Sequence, residues 1–85
     1  MKPDGTEDFI LLDLIVVTED FLNSHPSDEK TQKVWNHVKR TGYLDEPIMI
    51  NRDTKILTDG YTRYITAKDM KMKLVPIVYE KHSQK

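Results

Sequence analysis

The segment from Thr58 to Arg63 holds the residues whose types and spacing are best suited to chemistry. A strand is predicted to end at Thr58, and Gly60 permits a tight bend before a helix begins at once. The first amides of a helix lack intrahelical acceptors, and together with the helix dipole they favour a phosphate or another anion. Because Gly60 has no Cβ, a ligand could approach the backbone closely there.

Side chains in the same segment could add to an anion site. Thr62 supplies a hydroxyl donor, and Arg63 supplies a fork of N–H donors suited to phosphate oxygens. Asp59 is predicted to cap the helix, or alternatively to orient Arg63 or hold a metal ion that a nucleotide brings. Ordinary helix capping with a solvated Arg63 is the competing interpretation, because a single glycine turn is less specific than a P-loop or GxGxxG fingerprint.

Two neighbouring segments offer further candidates. His25 lies in a predicted loop, where it could donate to a phosphate or carry a proton near neutral pH, or simply face solvent. Lys30 and Lys33 lie early on the next predicted helix and could reach the same anion, or serve as surface charges. Asp45 and Glu46 precede a strand, and a solvated loop is a better interpretation of them than a metal site.

Apolar spacing and capping residues predict the elements that position the Thr58–Arg63 turn. The longer helix is predicted to start after Ser27 and to stop at Gly42, with Trp35 in the core. Pro76 suggests that the last strand lies at a sheet edge or starts late. The predicted order is a strand at 9–17, helices at 19–22 and 28–41, a hairpin of strands at 47–50 and 56–58, a helix at 61–70 and a strand at 74–79.

This order predicts an α/β (α+β) fold, a small mixed sheet of about four strands with two or three packed helices. We expect one domain at residues 9–80 between flexible tails at residues 1–8 and 81–85. A chain of 85 residues has a thin core, so a shallow surface site is expected rather than a deep catalytic cavity.

Charge is distributed unevenly along the chain. Residues 1–47 carry five Lys/Arg and ten Asp/Glu, whereas residues 48–85 carry eight Lys/Arg and four Asp/Glu. The basic half is compatible with an anion site, and also with an unevenly charged solvated surface.

Several functional classes are excluded by composition. The absence of cysteine excludes a disulfide framework, a thiolate zinc site and a cysteine nucleophile. No apolar run is long enough to cross a membrane, and the acidic N-terminus is not that of a signal peptide, so we expect a cytoplasmic protein without a membrane partner. The three histidines do not have the spacing of a zinc site: His25, His37 and His82.

The sequence resembles the ParB N-terminal-like superfamily, which also contains sulfiredoxin. Gly60, Arg63 and Ala67 look like the family's Gly-x-x-Arg-x-x-Ala helix start, within the sharpest part of the resemblance at 57–68. The other similar segments are the apolar run at 11–17, the helix end at 39–44, and the strands at 47–50 and 75–78.

The resemblance implies nucleotide binding at this helix start, since the similar motif contacts CTP phosphates in ParB proteins and ATP phosphates in sulfiredoxin. By position, Gly60 and Arg63 match both groups, with Tyr61 and Thr62 between them, and Tyr64 is expected to pack behind the loop. The loop that holds His25 often faces the nucleotide in this family. CTP or ATP with Mg²⁺ is therefore the expected ligand.

The sequence also departs from the family pattern. Sulfiredoxin has a catalytic Cys and a His where this chain has Tyr61 and Thr62, so sulfiredoxin chemistry is excluded. ParB proteins usually have Glu and Arg at those positions. They also carry a helix-turn-helix domain, for which 85 residues leave no room, although the chain could be an excised domain.

Three functions remain as predictions. The first is a ParB-like nucleotide-binding module, regulatory or associated with DNA. The second is a phosphotransferase or nuclease that uses the same site. The third is a DNA- or protein-interaction module that binds no nucleotide.

Overall fold

The computed structural model describes residues 2–81 as four strands, three α-helices and one 3-10 turn. The predicted tail at 81–85 lies outside the described residues except for Lys81. The strands are β1 (Asp8–Leu11), β2 (Ile48–Ile50), β3 (Leu57–Asp59) and β4 (Leu74–Tyr79). The helices are α1 (Glu19–Leu22), α2 (Asp28–Thr41) and α3 (Tyr61–Asp69), and the 3-10 turn is Leu12–Leu14.

The strands form one mixed sheet in the order β1-β4-β2-β3. β4 pairs antiparallel with β1 and parallel with β2, and β2 pairs antiparallel with β3 as the predicted hairpin. The parallel pair of β2 and β4 requires a crossover connection. This connection runs through β3 and α3. The predicted mixed α/β fold is confirmed. This topology places the end of β3 beside β2, one of the two central strands.

The position of β4 contradicts the prediction made from Pro76. β4 begins at Leu74 and lies between β1 and β2, so it is neither an edge strand nor a late one. The first β2 residue paired with β4 is Ile48, opposite Ile77. The N–H that Pro76 lacks would point toward β2 just before this first pair, so no ladder hydrogen bond is lost.

The core lies between one face of the sheet and the helices α2 and α3. Its fully buried side chains come mainly from the strands, and the largest of them are Leu44, Ile48, Ile50, Leu57, Val75 and Ile77. α2 is fixed at both ends as predicted, because the Ser27 hydroxyl accepts from the Lys30 N–H at 3.1 Å and Gly42 adopts a left-handed φ of 86°.

The predicted strand at 9–17 is wrong beyond Leu11. The chain leaves the sheet there, turns through Leu12–Leu14, and pairs again only at Val16, parallel to Ile56. Leu12 and Ile15 are both buried. Residues three apart point to opposite faces of a strand, so only a turn allows both side chains to reach the core.

Trp35, predicted to lie in the core, is only half-buried. The buried residues of α2 are Val34 and Val38, which lie one turn apart on the same face. A helical residue next to Val34 is rotated by about 100° from it, so the large indole lies at the edge of the buried stripe. There the Nζ atom of Lys39 lies 5.3 Å from the ring centroid.

The difference between a core and a surface leucine gives a first testable prediction. Leu57 is 1% exposed at the start of β3, and Leu74 is 54% exposed at the start of β4. We expect Leu57→Ala to lower the free energy of unfolding by about 2–5 kcal/mol, since it removes buried methyl groups and leaves a cavity. Leu74→Ala, the matched control, should cost less than about 1 kcal/mol. Urea denaturation followed by circular dichroism measures both, and equal losses would contradict this core.

Candidate functional site

An open cleft of about 250 Å³ lies at the N-terminal end of α3. It is bordered by His25 and by all the candidate residues of the β3–α3 segment: Asp59, Gly60, Tyr61, Thr62 and Arg63. The remaining lining residues are Phe21, Ser24, Pro26 and Lys30. The α1–α2 loop and the β3–α3 turn, which are more than thirty residues apart in sequence, therefore border the same cleft.

Gly60 makes the turn between β3 and α3. Its φ is 90°, a left-handed value that a residue with a side chain adopts only at a cost. A Cβ at this position would lie 3.4 Å from the Cα atom of Ile48, so Gly60 packs directly against β2. A strand can consequently change into a helix within one residue, and the first turn of α3 faces the cleft.

Gly60, and not Asp59 as predicted, occupies the N-cap position of α3. Asp59 remains in β3, opposite Met49, and its Oδ1 atom accepts from the Gly60 N–H at 2.8 Å. The prediction was wrong because pairing with β2 keeps Asp59 in the sheet, one residue too early to cap the helix.

Three amides at the start of α3 have no backbone acceptor. The first intrahelical hydrogen bond runs from the Tyr64 N–H to the Gly60 carbonyl at 3.0 Å, which leaves the N–H groups of Tyr61, Thr62 and Arg63 free of the helix ladder. The first turn of α3 carries no acidic side chain. These amides therefore keep their attraction for an external anion.

Arg63 is held by two acidic residues that precede β2. Its Nε atom donates to Oδ1 of Asp45 at 3.1 Å, its Nη2 atom donates to Oδ2 at 3.0 Å, and Nη2 lies 3.6 Å from Oε2 of Glu46. The hydrogen bonds to Asp45 raise the pKa of Arg63 above its ordinary value. The two bonds use two of the five N–H donors of the guanidinium, so the others can still reach a ligand.

Asp45 is thus a structural partner of Arg63, and its interpretation as part of a solvated loop is wrong. Burial alone would raise the pKa of Asp45, but the hydrogen bonds and the positive charge of Arg63 outweigh it and keep that pKa below its ordinary value. Glu46, whose side chain is 66% exposed, fits the predicted solvated position. The sequence offered no signal for the pair, because eighteen residues separate the two side chains.

Basic side chains outnumber carboxylates around the cleft. Lys30 and His25 are exposed on the α2 side, and Asp59 is the one carboxylate among the lining residues. Lys33 lies instead beside a smaller cavity, together with Lys30, Asp45 and Arg63. Of the two lysines considered from the sequence, only Lys30 therefore borders the main cleft.

A second cleft of about 210 Å³ adjoins the first and shares Asp59, Gly60 and Arg63 with it. Its other lining residues include the apolar side chains of Met49 and Val78. The two clefts together reach the size range of small-molecule sites. An elongated ligand could place a charged end in the first cleft and a less polar end in the second.

Aromatic side chains support the wall of the first cleft. The ring centroid of Tyr61 lies 5.3 Å from that of Phe21 and 6.2 Å from that of Tyr64, the latter in a stacked arrangement. Behind them, Tyr64 packs on the core as predicted, and Ala67 is fully buried. Within residues 2–81 no group of three or more His, Asp or Glu side chains could hold a metal ion.

Comparison with solved structures shows which fold this is. A structure described as the C2221 form of a Pnob8-like ParB-N domain matches 89% of this chain with a TM-score of 0.72 and 20% sequence identity. The C-terminally truncated chromosome-partitioning protein ParB from Caulobacter crescentus, complexed with CTP-gamma-S, matches 91% of it with a TM-score of 0.65 and 20% identity. The fold is that of ParB N-terminal domains.

The similarity is confined to the fold. This chain spans 30% of the length of the first protein and 45% of that of the second. No protein-family model and no curated protein matches the sequence. Among residues 2–81, none of the helices has the length and apolar character needed to cross a membrane.

The ion pair between Arg63 and Asp45 gives a prediction with a defined pH dependence. We expect Asp45→Asn to lower the free energy of unfolding by about 1 kcal/mol at neutral pH, because a half-buried bidentate pair is lost. The folded-state pKa of Asp45 is depressed, so its contribution is complete above the unfolded value of about 3.9 and is lost as the pH falls through the folded pKa. The variant and the wild type should therefore converge in acid.

Urea denaturation at neutral pH and at a series of decreasing pH values below about 4 measures this convergence. Glu46→Gln is the matched control and should cost less than about 0.5 kcal/mol, because Glu46 is exposed and farther from Arg63. A difference between Asp45→Asn and wild type that persists undiminished in acid would contradict the assigned ion pair.

Proposed function

We propose that this chain is a ParB-like nucleotide-binding module whose cleft at the start of α3 takes the phosphates of CTP or ATP. One observation carries the proposal. The cleft is bordered by three amides that have no intrahelical acceptor, by the hydroxyl of Thr62, and by the basic side chains of His25 and Lys30. Phosphate oxygens need such a concentration of donors and positive charge. The CTP-gamma-S bound to the Caulobacter crescentus protein of the same fold supports the choice of ligand.

Arg63 lies at the junction of the two clefts, where it would contact the nucleotide between its ends. In this proposal Asp45 orients the guanidinium, and the donors that Asp45 does not use point to the ligand. The triphosphate occupies the first cleft, and the sugar and base extend over Met49 and Val78 in the second.

Magnesium enters this proposal with the nucleotide. Mg²⁺ is commonly held by one or two carboxylates together with the phosphates of the ligand. Asp59, the carboxylate of the first cleft, fits that role. A phosphotransferase or nuclease would need a further base or metal ligand there, and no other carboxylate lines this cleft. We therefore propose binding, in a regulatory or DNA-associated role in the cytoplasm, rather than turnover.

Isothermal titration calorimetry with CTP, ATP and inorganic phosphate, each with and without Mg²⁺, tests the proposal. We expect a nucleoside triphosphate to bind more tightly than phosphate alone and Mg²⁺ to strengthen the binding. Amide chemical shifts should change mainly at residues 59–64. Absence of binding by both nucleotides would overturn the proposed function.

A negative charge added in the first turn of α3 separates ligand binding from folding. Thr62 is the second residue of α3, where a carboxylate interacts favourably with the helix dipole. Thr62→Glu should therefore keep or slightly raise the thermal unfolding midpoint while weakening nucleotide binding about tenfold or more, because the carboxylate repels the phosphates.

The matched control is Asn36→Asp, which adds the same charge at an exposed position of α2 outside the cleft. Its Oδ1 atom can still accept from Gln32 Nε2, as Asn36 does at 3.1 Å. Calorimetric affinities of the two variants decide the outcome. Equal affinities for nucleotide would place the binding site elsewhere.

The two lysines of α2 provide a second test. Lys30 borders the cleft and Lys33 does not, although both are exposed on the same helix. Lys30→Ala should weaken nucleotide binding about three- to tenfold and reduce its salt dependence, whereas Lys33→Ala should have a smaller effect. Titrations at low and high salt measure both quantities. A larger loss in Lys33→Ala would contradict the position of the phosphates.

A further inference from the structure

A groove of about 430 Å³ lies at the C-terminal end of α3, away from the nucleotide cleft. Three lysines line it, at positions 68, 71 and 73, and Asp13 is the only acidic lining residue. The apolar side chains in the groove are Leu11, Leu12 and Met72. We refer to this surface as the lysine groove.

The three lysines are available to a partner. Each is exposed, and all the ion pairs found within residues 2–81 involve Arg63 rather than a lysine. The groove therefore carries an excess of positive charge, which Asp13 offsets only in part. Lysines also interact favourably with the C-terminus of a helix, so their charge alone does not identify a binding surface.

The backbone of Lys71 adds a second observation. Its N–H donates to the Lys68 carbonyl and the Met72 N–H donates to the Ala67 carbonyl, the paired hydrogen bonds that end a helix with a left-handed residue. Lys71 has a φ of 58°, which glycine adopts without steric cost and lysine does not. The sequence thus has a lysine at a position where glycine would make the folded backbone more stable.

An apolar stripe continues from the groove onto the face of the sheet opposite the core residues Val75 and Ile77. Leu11 in β1 is paired with Leu74 in β4, and Phe9 lies on the same face two residues before Leu11. Their exposed fractions are 49%, 54% and 42%. Adjacent large apolar side chains with this exposure are typical of a protein-binding surface.

We propose that the lysine groove and this stripe bind an acidic segment of a partner protein that also carries apolar side chains. Carboxylates of the partner would lie against Lys68, Lys71 and Lys73, and its apolar residues would cover Phe9, Leu11 and Leu74. Charge complementarity selects an acidic partner. The apolar stripe favours a protein over a nucleic acid, because a phosphate backbone would leave these side chains exposed to water.

The probe is a short fluorescein-labelled peptide in which Glu alternates with Leu, and fluorescence polarisation measures its binding to the full chain. Two control peptides alternate Lys with Leu and Glu with Ser, and a labelled DNA duplex forms a separate arm. The Glu-Leu peptide should bind more tightly than all three. Tighter binding of the duplex, or equal binding of the Glu-Ser peptide, would overturn the proposal.

Lys71→Gly is the decisive variant, and Lys55→Gly is its matched control. Lys55 also has a left-handed φ, of 65°, but it lies in the turn between β2 and β3, outside the groove. Both variants should raise the thermal unfolding midpoint, since glycine relieves the backbone. Only Lys71→Gly should weaken binding of the Glu-Leu peptide, by about fivefold.

Unchanged peptide affinity in Lys71→Gly would overturn the proposal. Leu74→Gln tests the stripe independently. It should weaken binding of the Glu-Leu peptide without changing the affinity for nucleotide. Parallel loss of peptide and nucleotide binding in Leu74→Gln would also count against a separate surface.

Discussion

The close packing of Gly60 against β2 is the constraint on which the rest of the site depends. Because this residue carries no Cβ and adopts a left-handed conformation, β3 can end beside Ile48 and α3 can begin at once. A residue with a side chain would be strained at this left-handed φ and would bring its Cβ against the backbone of Ile48. The abrupt transition leaves the first amides of α3 at the surface, facing the α1–α2 loop.

The ion pair between Arg63 and Asp45 fixes the second feature of the site. It connects the first turn of α3 to the segment before β2, so the helix start is held both through Gly60 and through a side chain. The same pair offsets part of the positive charge of Arg63. Net attraction for an anion at the cleft therefore depends on the helix amides and on Lys30 and His25 as well as on the guanidinium.

The two ends of α3 expose different chemical groups. Its N-terminus presents free amides next to a glycine, whereas its C-terminus ends with Lys71 in the left-handed conformation and a cluster of lysines. The two surfaces lie at opposite ends of this nine-residue helix, and we assign them to different ligands, a nucleotide and an acidic protein segment. Because α3 packs on the sheet between them, each surface can be altered without removing the other.

The sequence by itself determined the mixed fold, the limits of α2 through Ser27 and Gly42, and the glycine turn before α3, because capping residues and apolar spacing act over a few positions. Only the tertiary structure decided the rest. The pairing of Arg63 with Asp45, the central position of β4 and the turn that buries Leu12 all depend on packing between distant segments. Local patterns carry no information about such long-range contacts, since these form only when distant segments pack together around the core.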